Sequence, residues 1–343
     1  MILLLFLIGM SNEGIGSKIK TGAQLQTKHP KTDSIKVVVP NKEKDSFYVK
    51  LKDTLSVEPS VYDSASKIVA ISDIEGNFNG LYSFLIANKV MDENYNWTFG
   101  TGHVVFLGDF VERGNASMQV LWLIYKLEDE AIENGGRVHY ILGNHEALDI
   151  AGIGFSEKKY TTGEEYVTDV PFDKSHKALY STKSELGRWL RTKNSIERIG
   201  DYVFVHGGIS PKIFSFKSDF DKINNTIREN IEHDLYHDPG KNQFANFLLG
   251  REGPLWFRGL AMDYKYYDKV AALEFKQILA YFSCRKIVIG HTPFAEIQTD
   301  FDGSLIKIDT PHGQEKFSGA TIGLLIENNV EFKVDDKGNR TRL

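Results

Sequence analysis

Cysteine is almost missing from this chain: among 343 residues there is one, Cys284, which excludes any internal disulfide. It lies in the run YFSCRKIVI, where a buried or half-buried structural thiol is expected, and no signature of a nucleophilic cysteine surrounds it. A basic excess is also missing. Lys and Arg number 41 against 46 Asp and Glu, a formal net charge of -5, which argues against a protein whose main task is to grip nucleic acid. Long hydrophobic runs are scarce. Ile2 to Met10 is the one extended apolar stretch, too short to span a bilayer. It has signal-peptide length, but no Lys or Arg precedes it and no clean small-x-small cleavage site follows. An atypical export signal to the periplasm or cell exterior is the expectation, with a cytoplasmic tail as the alternative.

A 41% hydrophobic content is enough for a full-sized core. Residues 1–34 read as the apolar run followed by a polar linker. Short β-type runs at IKVVVP, FYVKL and VYD suggest a small β extension over 35–66. From KIVAI at 67 onward, apolar strands alternate with amphipathic stretches to about 326, the pattern of a layered α/β domain. The clearest helix is Ala116 to Glu133, with Asn115 as N-cap and Gly135-Gly136 as the stop. SELGRWLRT reads as a helix end, and 215–282 as a helical excursion over the sheet edge. EKKYTTGEEY reads as a solvated loop, and 327–343 as a terminal strand or hairpin.

Five strands end alike. KIVAI runs into Ser72-Asp73, HVVFL into Gly108-Asp109, VHYIL into Gly143-Asn144, YVFV into His206-Gly207, and KIVI into Gly290-His291. A strand ending in Asp, Asn or His sets a donor at the carboxyl edge of a sheet, where loops converge and open α/β folds place their sites. Asp, Asn and His together suit divalent manganese, iron or zinc, and a carboxylate can bridge two ions. That donor composition describes a two-metal hydrolytic site.

These blocks resemble the calcineurin-like metallophosphoesterases, and within them the phosphoprotein-phosphatase type. SDIEGNF (72–78) is similar to the family's D-x-H-G block and GDFVERG (108–114) to G-D-x-x-D-R-G, while GNHE (143–146) matches the third block residue for residue. VHGG (205–208) and GHTP (290–293) resemble the two later histidine blocks, and GPLWFRG (253–259) a block of the bacterial Shewanella-like branch. The five blocks stand in the family's order, each after a strand, over roughly residues 67–326. The resemblance implies a sandwich of two mixed β-sheets flanked by helices. It further implies two divalent ions, Mn2+, Fe2+/Fe3+ or Zn2+ with Mn2+ favoured. Asp73 and Asp109 would hold the first ion, Asp109 would bridge, and Asn144, His206 and His291 would complete the second. His145 would be the general acid, with Glu146 its structural neighbour, and Arg113 and Arg258 would clamp phosphate oxygens.

The chemistry so implied is phosphomonoester hydrolysis, probing a phosphorylated protein or small phosphomonoester with a metal-bridging hydroxide as direct attacker on phosphorus. Two positions depart from the family pattern. Glu75 replaces the histidine of the first block; it is expected to coordinate the first metal through oxygen, the alternative being a second-shell acceptor or a vacated position. Glu112 replaces the aspartate that steadies the catalytic histidine, and is one methylene longer. Two other functions compete with a serine/threonine or tyrosine protein phosphatase. One is a dinucleoside polyphosphate hydrolase or phosphodiesterase using the same site, against which the single histidine of GHTP speaks. The other is a catalytically impaired binding protein.

Overall fold

A computed structural model describes residues 34–153, 176–234 and 237–343. The apolar run at 2–10, the linker at 11–33 and the loop at 157–166 lie outside the described residues.

Period-two alternation builds the central layer. Strand β4 (Lys67–Ile71) turns Ile68 and Ala70 to one face and Val69 and Ile71 to the other. Strand β5 (His103–Leu107) does the same with Val105 and Leu107 against Val104 and Phe106, and β6 (Arg137–Ile141) follows with Ile141 against Val138 and Tyr140. In a second sheet, β8 (Tyr202–Val205) and β9 (Lys286–Ile289) offer Tyr202, Phe204 and Val288 to the same inner layer. Both faces are thus apolar, as strands covered on both sides require, and each fully buried side chain of this kind contributes about 1.5–3 kcal/mol. A one-residue slip would exchange the two faces of a strand, so the packing also fixes the register that aims the strand ends.

Each mixed sheet has six strands. The first runs β14 (Arg340–Arg342), β13 (Val330–Asp335), β12 (Ile322–Glu327), β4, β5, β6, with β4, β5 and β6 parallel. The second runs β10 (Gln298–Asp300), β11 (Leu305–Lys307), β9, β8, β7 (Ile196–Ile199), β3 (Val61–Tyr62). The α/β sandwich of two mixed sheets expected from the sequence is the observed architecture. One segment is placed differently. Val61 and Tyr62 pair with Arg198 and Ile199 of β7, so VYD edges the second sheet, while β1 (Ile35–Val38) and β2 (Ser46–Val49) form a separate hairpin.

Helices α1 (Phe78–Ala87) and α2 (Ser117–Glu133) bury their apolar residues with the outer face of the first sheet. The N-cap of α2 is Ala116 in place of the expected Asn115. The chain just before it is tied to the loop after β4, through Gly114 N–H to Glu75 O (2.8 Å) and Ala116 N–H to Gly76 O (3.2 Å). After β6 come α3 (Asn144–Ala151), α4 (His176–Leu179) and α5 (Glu185–Leu190), the last capped by Ser184. The 215–282 excursion contains α6 (Phe220–Asn230), α7 (Gln243–Leu249) and α8 (Ala272–Tyr281), with an irregular stretch between α7 and α8. Glu128 of α2 accepts from Trp189 Nε1 (2.6 Å) and Lys193 Nζ (2.7 Å), fastening α5 and its following turn to α2. Among the described residues no helix is long and apolar enough to cross a membrane.

Candidate metal centre

The carboxyl ends of the two sheets meet at one seam. Asp73, Asp109 and Asn144 follow β4, β5 and β6 of the first sheet, and His206 and His291 follow β8 and β9 of the second. Backbone hydrogen bonds knit the loops: Asp73 N–H to Gly108 O (3.0 Å), Glu75 N–H to Asp109 O (2.9 Å) and Gly76 N–H to Phe110 O (2.9 Å). Glu146, fully buried, gathers four donors, the N–H groups of Asp109, Phe110 and Gly143 and the Tyr140 hydroxyl, at 2.7–3.0 Å. It clamps the Asp109 loop to the start of α3.

Six site residues sit in left-handed backbone: Asp73 (φ 54°), Glu75 (50°), Asp109 (57°), Glu112 (65°), Arg113 (55°) and His291 (64°). Each costs roughly 1–3 kcal/mol and persists only where its surroundings hold it, so this concentration marks loops shaped for their side chains. Two glycines permit the close approach. A Cβ on Gly108 (φ 81°) would lie 2.5 Å from His206 Nδ1, and one on Gly290 would lie 2.0 Å from Ser72 Oγ and 2.7 Å from Asp73 Oδ2.

Asp109, His206 and His291 each offer a ligand atom, and these atoms lie within 4.8 Å of one another. His206 faces the Leu107 carbonyl with Nδ1 (2.7 Å); since a carbonyl only accepts, that nitrogen carries the proton and Nε2 turns to Asp109 Oδ2 (3.1 Å) and Asn144 Oδ1 (3.2 Å). His291 likewise faces the Trp256 carbonyl with Nε2 (3.2 Å), and its backbone N–H donates to Asp73 Oδ2 (3.1 Å). An imidazole held through one N–H turns the lone pair of its other nitrogen, Nε2 of His206 and Nδ1 of His291, toward a cation.

Beside this cluster His145, buried, pairs through Nδ1 with Glu112. The longer Glu112 therefore reaches the imidazole. His145 Nε2 faces Arg113 Nη2 (3.2 Å) and Asp109 Oδ2 (3.5 Å). Arg113 is ion-paired with Glu75. Arg258 donates through Nη1 to the His291 carbonyl (2.5 Å) and to Thr292 Oγ1 (3.2 Å). Glu75, Asp109, Arg113, His145, Arg258 and His291 line one cavity of about 490 Å³, with Asp73, Asn144 and Trp256.

Sequence reasoning missed two residues on that wall, Asp309 and His312. Asp309 had a readable signal, since LIKID is one more apolar strand that ends in a carboxylate. His312 had none; its Nε2 donates to the Ser72 carbonyl (2.7 Å), and burial holds it down to about 4. The aromatic stretch 255–268 divides. Leu255, Phe257 and Leu260 are buried, Trp256 and Arg258 face the cavity, and Tyr264 and Tyr266 are exposed. Of the other histidines, His139 is buried between Glu197 (2.6 Å) and His103 (3.0 Å), a satisfied structural pair. Cys284 is half-buried, and burial pushes its thiol up to about 12.

Burial and crowded charge shift the groups of the site: burial would lower His206, but Asp109 and Asp73 outweigh it and raise it to about 10, a proton that a bound cation would displace. Burial, then Asp309, pushes the Asp73 carboxyl well above the usual carboxylate range. Burial lifts Asp309 to about 6, and lifts Glu75 to about 7 against the pull of Arg113. Burial would raise Asp109 too, but His145 and His206 outweigh it and hold Asp109 well below its usual range. Burial, then His206, keeps His291 neutral, the form in which imidazole binds metal. Crowded buried carboxylates beside oriented imidazoles are a donor set that divalent ions satisfy.

Comparison with known proteins agrees with this chemistry. The sequence pattern of the calcineurin-like phosphoesterases matches residues 66–294. This chain belongs to that family. The calcineurin-like phosphoesterase is similar to Shewanella-like protein phosphatase 1 of Plasmodium berghei, at 28% identity over 80% of this chain and 73% of the relative. It is also similar to Shewanella-like protein phosphatase 2 of Arabidopsis thaliana, at 24% identity over 67% of each chain. Among solved structures it resembles the cold-active protein-tyrosine phosphatase of a psychrophilic Shewanella, with a TM-score of 0.75 and 31% identity over 90% of this chain and 89% of that one. As a family member it is a metal-dependent phosphoesterase, and the Asp109, His206 and His291 cluster is its candidate metal centre.

Proposed function

We propose that this calcineurin-like phosphoesterase is a phosphomonoesterase of the protein-phosphatase type, acting on phosphorylated serine, threonine or tyrosine side chains. One observation carries the reading: donors from both sheets and the His145–Glu112 pair meet at a single cavity that two arginines also line. Asp73, Asp109, Asn144, His206 and His291 would hold two divalent ions, with Asp109 between them. The ions, when bound, supply Lewis acidity and a water acidified toward neutral pH.

The protein's own groups do the rest. Arg113 and Arg258, which both line the cavity, would orient the phosphoryl oxygens with planar donors. His145, its ring fixed by Glu112 through Nδ1, would carry a proton on Nε2 once Arg113 turns from it to a phosphoryl oxygen, and would deliver that proton to the leaving oxygen at the cavity face. Burial opposes that proton, but Asp109 and Glu112 outweigh it and raise His145 to about 9. The Shewanella-like protein phosphatases of the comparison support a phosphoprotein substrate, and the Shewanella tyrosine phosphatase brings phosphotyrosine within it.

The test is metal analysis combined with a substrate panel. Two equivalents of transition metal per chain are expected, with turnover of phosphopeptides and p-nitrophenyl phosphate that a chelator abolishes and manganese restores. Turnover confined to dinucleoside polyphosphates or phosphodiesters would overturn the substrate assignment, and a metal-binding protein without turnover would overturn the enzyme.

A further inference from the structure

Glu75 stands where the family pattern places a histidine ligand of the first ion, yet its carboxylate is engaged by the Arg113 guanidinium. Its backbone is engaged as well, N–H to Asp109 O (2.9 Å) and carbonyl from Gly114 N–H (2.8 Å). Asp309 shows the opposite condition. It is 7% exposed and lines the same cavity. No hydrogen bond or ion pair of its carboxylate is found among the described residues; its charged neighbours are the carboxylates Asp73 and Asp109 and, at longer range, His206, Arg258 and Arg113. Asp73 accepts from the His291 N–H and Asp109 from the His145 N–H, which leaves Asp309 as the one of the three without a donor among the described residues, and a buried carboxylate in that condition is satisfied by a cation.

The backbone sets Asp309 beside the ligands. Strands β11 and β9 run parallel with Lys307 opposite Ile289, so Asp309 and His291 each stand two residues beyond that pair. Ile308 N–H to Ile289 O (2.9 Å) and Phe294 N–H to Asp309 O (3.0 Å) hold the level. His291 in turn donates from its backbone to Asp73 Oδ2, which places Asp73 at the same junction. Asp309 also lies outside the segment 66–294 that the family pattern covers.

We propose that Asp309 is a ligand of the first metal ion, together with Asp73 and Asp109, and that Glu75 serves to hold Arg113 at the cavity wall. The inference rests on the dinuclear reading above. Three carboxylates at one ion make it harder than a site with a histidine, and favour manganese or iron over zinc.

The test is metal stoichiometry on chelator-stripped protein reloaded by equilibrium dialysis against manganese. The wild type is expected to hold two equivalents. Asp309→Asn is expected to keep one, with affinity for the other lowered more than about 100-fold, beyond the 10–100-fold that loss of an outer-shell partner gives. Glu75→Gln is expected to keep both. Asp309→Ser puts the same question to a smaller side chain should the amide variant fail to fold, and thermal melts of each reloaded protein identify such a failure. Two equivalents at wild-type affinity in a folded Asp309 variant would overturn the proposal, as would loss of one equivalent in Glu75→Gln alone. A wild-type protein that binds no metal would instead sink the dinuclear reading itself.

Discussion

Replacing His145 by Ala separates proton donation from simple charge stabilisation. The ring is 3% exposed, held by Glu112 on one nitrogen and facing the cavity with the other. Burial opposes its charge, but Asp109 and Glu112 outweigh burial and raise its pKa to about 9, which favours the protonated ring that a leaving alkoxide needs. General acid catalysis is worth about 10²–10⁴ in rate, which at 1.36 kcal/mol per tenfold is about 3–5 kcal/mol of barrier. The full loss of kcat is expected on a phosphoserine peptide, whose alkoxide leaves poorly. A much smaller loss is expected on p-nitrophenyl phosphate, whose phenolate leaves without help. The sign of the pH dependence follows from the same proton: wild-type kcat on the peptide falls as pH rises through the raised pKa of His145 and the acid form is lost. That limb should be absent in His145→Ala. The assay is a pair of pH–rate profiles, one per substrate, with metal content measured alongside. Equal losses on the two substrates at unchanged metal content would refute the general acid.

Glu112→Gln removes a charge that raises His145, so the falling limb should move to lower pH and kcat on the peptide at pH 7 should drop about 10–100-fold; an unmoved limb would mean that Glu112 does not tune the ring. Gly290→Ala places a methyl group 2.0 Å from Ser72 Oγ, so a loss of about 1–3 kcal/mol in urea unfolding and a fall in bound metal are expected, and wild-type values for both would contradict the packing. Glu128→Ala leaves Lys193 buried without its carboxylate, which should cost about 3–5 kcal/mol by urea titration. Burial opposes ionisation of Glu128, but Lys193 and Lys52 hold its folded pKa below 4.5; its contribution is therefore complete above about pH 4.5 and lost as pH falls through the depressed value, and the acid limb of stability should flatten in the variant.

The five donor positions Asp73, Asp109, Asn144, His206 and His291 were legible because each closely follows an apolar strand, a local feature of sequence, whereas Arg113 and Arg258 could be named only from the family resemblance. The pairing of Glu75 with Arg113 was not legible, since it depends on left-handed turns that place residues 38 apart side by side. The helix boundary at Ala116 slipped for a similar reason: the loop before α2 is tied to residues 75 and 76, and that tie overrides the capping preference of Asn115. Val61 and Tyr62 read as part of a small extension because their run is short, and only β7 offered them an edge.

By itself the sequence determined the layered α/β pattern, the order of the donor-bearing strand ends, and the place of His145 next to a metal-type donor, Asn144. Tertiary structure alone decided that the two sheets stack with their carboxyl edges flush, bringing Asp73 to the backbone of His291 across 218 residues and Asp309 to the same wall. The physical reason is range: periodicity and capping act within a few turns of chain, whereas a metal centre shared by two sheets depends on side-chain packing between strands that no local pattern pairs.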